Sequence, residues 1–502
     1  MIGRPKIEVP RSCEERVNPI TSRRSNWVSR GPVAVKAAAF WAHNAIGPGI
    51  GVAALNRFGG GRLKVVRTAV LGVRHIAVHD WSAWLIVRML ALALGGLAVA
   101  MARGNVFFDT TYYAHWAHGT LTGTRVPYRD FPWEYPPGAL PLMLLPGLYA
   151  PLMHDGRGAV YLWLYGVLWV AFMLAVDGAL LRVLLRRTAG VRTRHPAITL
   201  WIWGPPMLGA LCWARYDLLP AAAAAAGVLA AAAAAPDRAG IWAGAGATLK
   251  LWPSLIAPVQ RTPRAAVRAV AWAGAVVAAT SAATFAVTGS TGFGQVLSYQ
   301  ARRGLQCESL AALPYLWLRH MHVAGLGMSF RFGAYEVTGG GIGLLTSALT
   351  LVYALGLLGI GIAHWRLMRR GGSASAVALT VMAVILLTLV TNKVFSPQYM
   401  LWLLGILAAA CILDPVTWRP YVRWVLLGCA LTTLAFPWFY GDILGHAWFG
   451  LLALTIRDVV VVGLALAVLR ELLWRLRHPT EATDTAAATG LQVAPVSVRP
   501  VL

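Results

Sequence analysis

The feature that most constrains this chain is recurrence. Apolar runs near or above bilayer-spanning length follow one another along most of its 502 residues. A helix needs roughly 20 apolar residues to cross a membrane. Inside hydrocarbon the backbone must satisfy its own polar groups, so continuous runs of this kind form helices. About a dozen candidate spans centre on 81–102, 137–153, 159–182, 197–213, 218–235, 239–258, 266–288, 341–364, 375–394, 398–414, 422–440 and 447–469. Charged residues make up only 13% of the chain, too few to cover a soluble domain of this size. The expected fold is therefore an all-α polytopic membrane protein.

The formal charge of +25 does not indicate a nucleic-acid partner. Thirteen Lys and Arg fall in residues 1–80 against four Asp and Glu, and most of the rest flank apolar segments. Positive charge retained on the cytoplasmic side accounts for that distribution. Residues 1–75 are basic, rich in Gly, Pro and Ser, and without sustained periodicity. They are expected to be a largely disordered cytoplasmic extension touching anionic lipid, ahead of a membrane domain over 76–477 and a disordered tail over 478–502. The basic N-terminus lacks the apolar core and cleavage site of a signal peptide. Five cysteines show no paired spacing and no CxxC, so neither a disulfide framework nor a zinc site is legible.

Loop charge assigns sides. The stretches 260–268, 364–370, 414–423 and 470–478 are basic and expected to be cytoplasmic, which places 103–136, 289–340, 392–397 and 440–446 outside. One loop conflicts: "RRTAGVRTRH" (186–195) carries four arginines yet falls outside by the same count. The segment 137–153, with prolines at its start and at 141, 146 and 151, is the one that need not cross. A second non-crossing segment is then required before 260.

Chemistry concentrates in the external stretches. Asp109 follows the first span. A carboxylate at an apolar boundary is partly desolvated, which suits a proton acceptor, although Asp is also a favoured N-cap. "YYAHWAHGTLTG" (112–123) reads as a short interfacial helix, with His115 and His118 too isolated to make a convincing metal pair. In "VPYRDFPWEYPPGALPLMLLP", prolines hold the chain extended around Glu134, which is wedged between Trp133 and Tyr135. Arg215 and Asp217 could form an ion pair between two apolar segments. Lys250 lies within an apolar segment, a costly position that points to function or to snorkelling. Arg302, Arg303 and Glu308 occupy the second long external segment, where arginine suits phosphate oxygens. Lys393, in a short external turn, runs against the positive-inside bias. No P-loop, GxGxxG after a strand, HExxH or G-x-S-x-G occurs.

The external Asp109, "GTRVPYR", "EYPPGALPL", "RYDLLPA" with "TLKLWPSLIAP", "RGLQCESLAALP" and "NKVFSPQYMLWLL" together resemble the membrane glycosyltransferases of the GT-C fold. They most resemble glycosyltransferase family 87, the actinobacterial polyprenyl-phosphate-mannose-dependent mannosyltransferases. The resemblance covers roughly 81–415 and excludes the N-terminal 75 residues. It implies about 11–13 transmembrane helices, with a long first external loop carrying short interfacial helices. It also implies transfer of a sugar, with inversion, from a polyprenyl-phosphate donor to an acceptor hydroxyl, at an active site facing outside the cell membrane. The acceptor would be a glycolipid, polysaccharide or natural product.

By that analogy Asp109 is the general base, and no cofactor or metal is called for. Related enzymes often carry two acidic residues here, whereas Thr110 and Thr111 follow Asp109. Arg303 and Lys393, with Lys250 behind them, are the candidates for the donor phosphate. Glu134, Tyr113, Tyr135, Asp217, Glu308 and Gln398 are the candidates for substrate contact, the aromatic faces suiting sugar rings. A transporter or lipid-linked-sugar flippase is the alternative from another class and a non-catalytic scaffold a third; within the enzyme class an arabinosyl donor stands beside mannosyl.

Overall fold

The computed structural model describes residues 80–101, 103–153, 158–188 and 195–478. The basic extension over 1–75 and the tail beyond 478 lie outside the described residues. Helices dominate: α1 (Asp80–Ala100), α2 (Phe108–Leu121), α3 (Ala139–Leu144), α4 (Ala159–Arg187), α5 (Pro196–Met207), α6 (Leu211–Ala214), α7 (Leu218–Ala232), α8 (Pro236–Leu249) and α9 (Pro263–Thr288). They continue with α10 (Phe293–Arg302), α11 (Leu313–His320), α12 (Ile342–Arg369), α13 (Ala374–Thr391), α14 (Met400–Leu413), α15 (Pro415–Thr433), α16 (Tyr440–Leu444) and α17 (Trp448–Arg477). A small antiparallel sheet, β1 (Leu305–Gln306), β2 (Gly327–Arg331) and β3 (Ala334–Thr338), interrupts the 289–340 segment in the order β1-β3-β2.

The all-α polytopic expectation holds, with a difference in how the spans are made. Among the described residues, 6 helices are long and apolar enough to cross a membrane: α1, α4, α9, α12, α13 and α17. Several of the other expected spans are shorter. Helices α5, α7, α8 and α14 run 12, 15, 14 and 14 residues. Prolines cut several of them: Pro205 and Pro206 near the end of α5, Pro236 at the start of α8, Pro397 just before α14. Such breaks survive at membrane depth where neighbouring helices surround them. Helix α14 is buried along almost its whole length, whereas α9 and α12 expose Val267, Val287, Leu344, Leu351 and Leu358 outward. That apolar exterior is the surface lipid would cover.

The loops gather at two ends. At one end Arg475 meets Asp414 at 3.7 Å, Ser375 bonds Asp414 at 2.8 Å, Arg370 donates to the Leu476 carbonyl, and His364 Nε2 lies 2.8 Å from the Gln260 carbonyl. At the other, Gln306 N–H donates to the Lys393 carbonyl (2.9 Å), Trp133 N–H to Gln295 (3.4 Å), and His320 Nδ1 lies 2.7 Å from the His446 carbonyl. The first end carries the basic loops and the side-chain N-caps Thr262, Ser373 and Asp414, each accepting from a backbone N–H of its helix.

The conflict over loop 186–195 resolves in this arrangement. Residues 139–152 form α3 and two 3-10 turns rather than a span. Helices α8 and α9 run side by side in one direction, Gly240 against the Ala269 carbonyl and Gly244 against Ala273. The intervening 250–262 therefore doubles back to Gln260, and α8 with this return is the second non-crossing segment. Helix α5 starts at His195, near Arg419, and ends where Thr433 donates to the Met207 carbonyl (2.7 Å), parallel to α15. The start of α5 thus lies at the basic end.

One network ties α1, α4, α5 and α6 together. In a helix the N–H of residue 205 would serve the carbonyl of 201, and that of 206 the carbonyl of 202. Both positions are proline, so both carbonyls are left without their helical donor. Arg88 of α1 supplies the donors instead, at 2.7 Å to Trp201 O and 2.6 Å to Ile202 O. Its remaining N–H groups meet Asp177 of α4 at 2.9 and 3.1 Å. The indole N–H groups of Trp84, Trp201 and Trp213 complete the Asp177 shell. Neither residue was singled out from sequence, although each is an isolated charge in an apolar run and so carried the signal used for Lys250.

Candidate functional site

Asp109 is the second residue of α2. Phe107 precedes the helix with no side-chain cap, so the N-cap alternative is not what the structure holds. The Asp109 carboxylate forms an ion pair with Arg215, which closes α6 in an extended conformation. Thr110, next to Asp109, donates to the carbonyl of Ala214, next to Arg215, at 2.8 Å. That bond sets the two charged side chains opposite each other. Both are mostly enclosed, Asp109 at 19% and Arg215 at 12% side-chain exposure.

Arg215 and Asp217 are therefore not partners, contrary to the pairing their spacing suggested. The break between α6 and α7 turns them to different neighbours. Asp217 accepts from Lys250 Nζ (3.2 Å) and from Trp402 Nε1 (2.9 Å). Lys250 caps the C-terminus of α8 rather than sitting inside it. Its ammonium lies 5.2 Å from the ring centres of Tyr216 and Tyr399 and 5.7 Å from that of Trp402, which adds cation–π attraction. Tyr399 stacks on Trp402 at 3.8 Å.

Above this lies an aromatic wall. Tyr113, Tyr135 and Tyr216 are mutually in contact, ring centres 5.5 to 6.1 Å apart. Trp116 and Trp133 pack beside Tyr135. Burial pushes the phenols of Tyr113 and Tyr135 well above their ordinary range, so both stay protonated. Glu134 acts electrostatically on Tyr299 and on Tyr113. Asp130 and Arg129 form an exposed pair at the rim.

Arg303 and Lys393 form a separate basic pair. Lys393 donates to the Ala301 carbonyl at 3.1 Å, and its pKa is lowered by burial first and by the Arg303 charge second. Glu336, on β3, opposes that lowering and accepts from Gly304 N–H at 2.8 Å. Glu336 was not found from sequence; it follows "FRFGAY", which carries no motif.

Glu308 occupies the β1–α11 loop and is 3% exposed. Gln306 Nε2 donates to it at 3.0 Å, and Arg457 of α17 donates to its backbone carbonyl. Burial raises the Glu308 pKa to about 7, partly offset by Arg457 and Arg215. Gln398, beside Tyr399 in the 3-10 turn before α14, is also buried. Among the described residues no group of three or more His, Cys, Asp and Glu could hold a metal ion, and His118 instead lies against the Met153 carbonyl and the Tyr161 ring.

The candidate residues thus fall into linked groups: Asp109 with Arg215, Asp217 with Lys250, Tyr113 with Tyr135, Glu134 with Tyr299, and Arg303 with Lys393. Glu308 joins the first group through its electrostatic coupling to Arg215. The chemistry available is a buried carboxylate, a basic pair in the adjoining loops and an aromatic wall.

Comparison with known proteins adds one finding. The model of glycosyltransferase family 87 matches residues 133–346. The match supports a glycosyltransferase; it takes in Glu134, Asp217, Lys250, Arg303 and Glu308 and leaves Asp109, Lys393 and Gln398 outside. No curated protein and no solved structure matched the chain.

Proposed function

We propose that this chain is an inverting glycosyltransferase that moves mannose from a polyprenyl-phosphate donor to an acceptor hydroxyl on the outer face of the cell membrane. The acceptor is a glycolipid, polysaccharide or natural product. The observation that carries the reading is the enclosed Asp109 carboxylate, held by Arg215 at the bundle end where the long polar loops converge. The opposite end carries the arginine-rich loops, which supports the outward orientation.

In the reaction the acceptor oxygen attacks the anomeric carbon and its proton passes to Asp109. The bond between that carbon and the phosphate oxygen breaks, and its electron pair leaves with the polyprenyl phosphate. Arg215, paired with the Asp109 carboxylate, orients it. Arg303 and Lys393 neutralise the leaving phosphate, with Lys250 behind them. The wall of Tyr113 and Tyr135, with Glu134 beside it, faces the sugar ring and excludes water. Asp217 acts by fixing Lys250, and Glu308 and Gln398 contact substrate.

The test is transfer of labelled mannose from polyprenyl-phosphate-mannose in membranes holding the full chain, beside Asp109→Asn at equal abundance. Loss of a positioned base is worth about 10²–10⁴-fold, so the variant should be nearly silent. Undiminished transfer by Asp109→Asn removes the base assignment and leaves the enzyme. A wild type that transfers no polyprenyl-linked sugar, arabinose included, removes the enzyme.

A further inference from the structure

Beside the Asp109–Arg215 pair lies a set of buried polar atoms with no hydrogen-bond partner in the protein. The acceptors are Glu308 Oε1, Gln306 Oε1, Gln398 Oε1 and Asp458 Oδ2, and the donors are Arg215 Nε and Arg457 Nη1. Folded proteins leave few such atoms, because an unmade bond in a low-dielectric interior is expensive.

These six are not scattered. Gln306 bonds Glu308, Arg457 bonds both the Glu308 carbonyl and Asp458, and Glu308 feels the charges of Arg457, Arg215 and Asp458. Gln398 adjoins Tyr399, which in turn acts electrostatically on Arg215. Gln306 N–H and the Lys393 carbonyl pin the loop carrying Gln398 to β1. The Arg457 guanidinium lies 4.3 Å above the ring centre of Phe395 in that same loop. The Gln306, Glu308, Gln398, Arg457 and Asp458 side chains are all less than a tenth exposed.

The mixture decides the ligand chemistry. A phosphate would meet four unpaired acceptors, and a cation would meet two guanidinium groups. A hydroxyl donates and accepts at once, so a ring with several hydroxyls satisfies carboxylate, amide and guanidinium atoms together. Phe395 and Tyr399 supply aromatic surface alongside.

We infer that Gln306, Glu308, Gln398, Arg215, Arg457 and Asp458 form the pocket that holds the hydroxyls of the transferred sugar. The inference rests on the glycosyl-transfer reading and deepens it. Glu308 and Gln398 thereby gain a defined role, while Gln306, Arg457 and Asp458 join the site anew. Arg215 pairs with Asp109 and contributes its open Nε to the pocket, so the bound sugar lies next to the base.

Gln306→Leu and Gln398→Leu test this in the full-length protein. Gln398→Leu removes an unpaired buried acceptor at nearly constant volume and should unfold in detergent no earlier than wild type, whereas Gln306→Leu also removes the bond its Nε2 donates to Glu308 and should unfold somewhat earlier. Both are measured for kcat/KM with polyprenyl-phosphate-mannose and with donors lacking one ring hydroxyl at a time. The expected loss with the full sugar is about 10- to 100-fold. With the donor lacking the partnered hydroxyl, variant and wild type should agree within about twofold. Glu308→Gln serves as the third variant should either leucine variant unfold early. Variants that match wild type with every donor would mean the atoms are met by ordered water only, and an equal loss with every donor would mean a structural role; either overturns the inference alone. A wild type inactive with every polyprenyl-phosphate sugar overturns the glycosyl-transfer reading and the inference with it.

Discussion

Arg88→Met is the most informative change outside the site. The methionine fills much of the same space but leaves the carbonyls of Trp201 and Ile202 without a donor, because Pro205 and Pro206 have no N–H to offer. An unsatisfied buried carbonyl costs about 1–3 kcal/mol. Asp177 keeps the indole N–H groups of Trp84, Trp201 and Trp213, so its charge is not left bare. Breaking a buried pair by removing one partner costs about 3–5 kcal/mol. The three indole N–H groups that Asp177 keeps offset part of that, so a total of about 5 kcal/mol is expected. The decisive variant adds Pro205→Ala and Pro206→Ala. The restored N–H groups reach the two carbonyls from within α5, so the combined variant should regain about 2 kcal/mol of the loss. The same prolines replaced in the presence of Arg88 should give much less, since the carbonyls are already served. Unfolding in mixed micelles, read as a thermodynamic cycle, measures this coupling. A loss under about 1 kcal/mol for Arg88→Met, or no coupling to the prolines, refutes the account.

Glu308, with its pKa raised to about 7, retains a proton in the folded state that the unfolded chain has already released. Stability should therefore be fullest below the ordinary carboxyl range and fall as pH rises toward 7, by up to about 3 kcal/mol. Glu308→Gln should flatten that dependence in unfolding curves between pH 5 and 8, and an unchanged curve counts against the burial argument. Arg303→Ala and Lys393→Ala should each lower kcat by about 10²-fold through loss of charge on the leaving phosphate, with a smaller change in KM. A purely KM effect would assign them to binding. Gly240→Val should separate α8 from α9, since a Cβ there runs into the Ala269 carbonyl, and a fully stable variant in heated detergent extracts would contradict that packing.

Much of the fold was legible because lipid leaves the backbone few options, and the repeated apolar runs express that directly. The number of long spans was less legible. A run such as 197–213 reads as continuous by hydropathy, yet Pro205, Pro206 and Gly209 end α5 after 12 residues. Loop charge did better than counting: the arginines of 186–195 pointed to the basic end, where the start of α5 lies. At the candidate site, Asp109 announced itself as a carboxylate at an apolar boundary, Lys250 as a charge within an apolar segment and Lys393 as a cation in a short external turn. Their partners did not. The ion pairs join residues 109 to 215 and 217 to 250, and sequence spacing carries no information about which side of a broken helix each charge faces.

The two buried charge clusters can be told apart by their bookkeeping of hydrogen bonds. Around Arg88 and Asp177 every charged atom has a partner, and the prolines that created the vacancies sit in the same helix as the carbonyls they expose. Such a closed network has nothing left to offer a ligand, and its effect is to hold α1, α4, α5 and α6 in one register. Around Glu308 and Arg457 the same residue types are equally buried, but several donors and acceptors remain open. The open atoms adjoin Arg215, which the closed network steadies through Trp213, two residues earlier in the chain. Rigidity on one side and unspent hydrogen-bonding capacity on the other is the division expected of a site that must hold a polyol still while one of its bonds is exchanged.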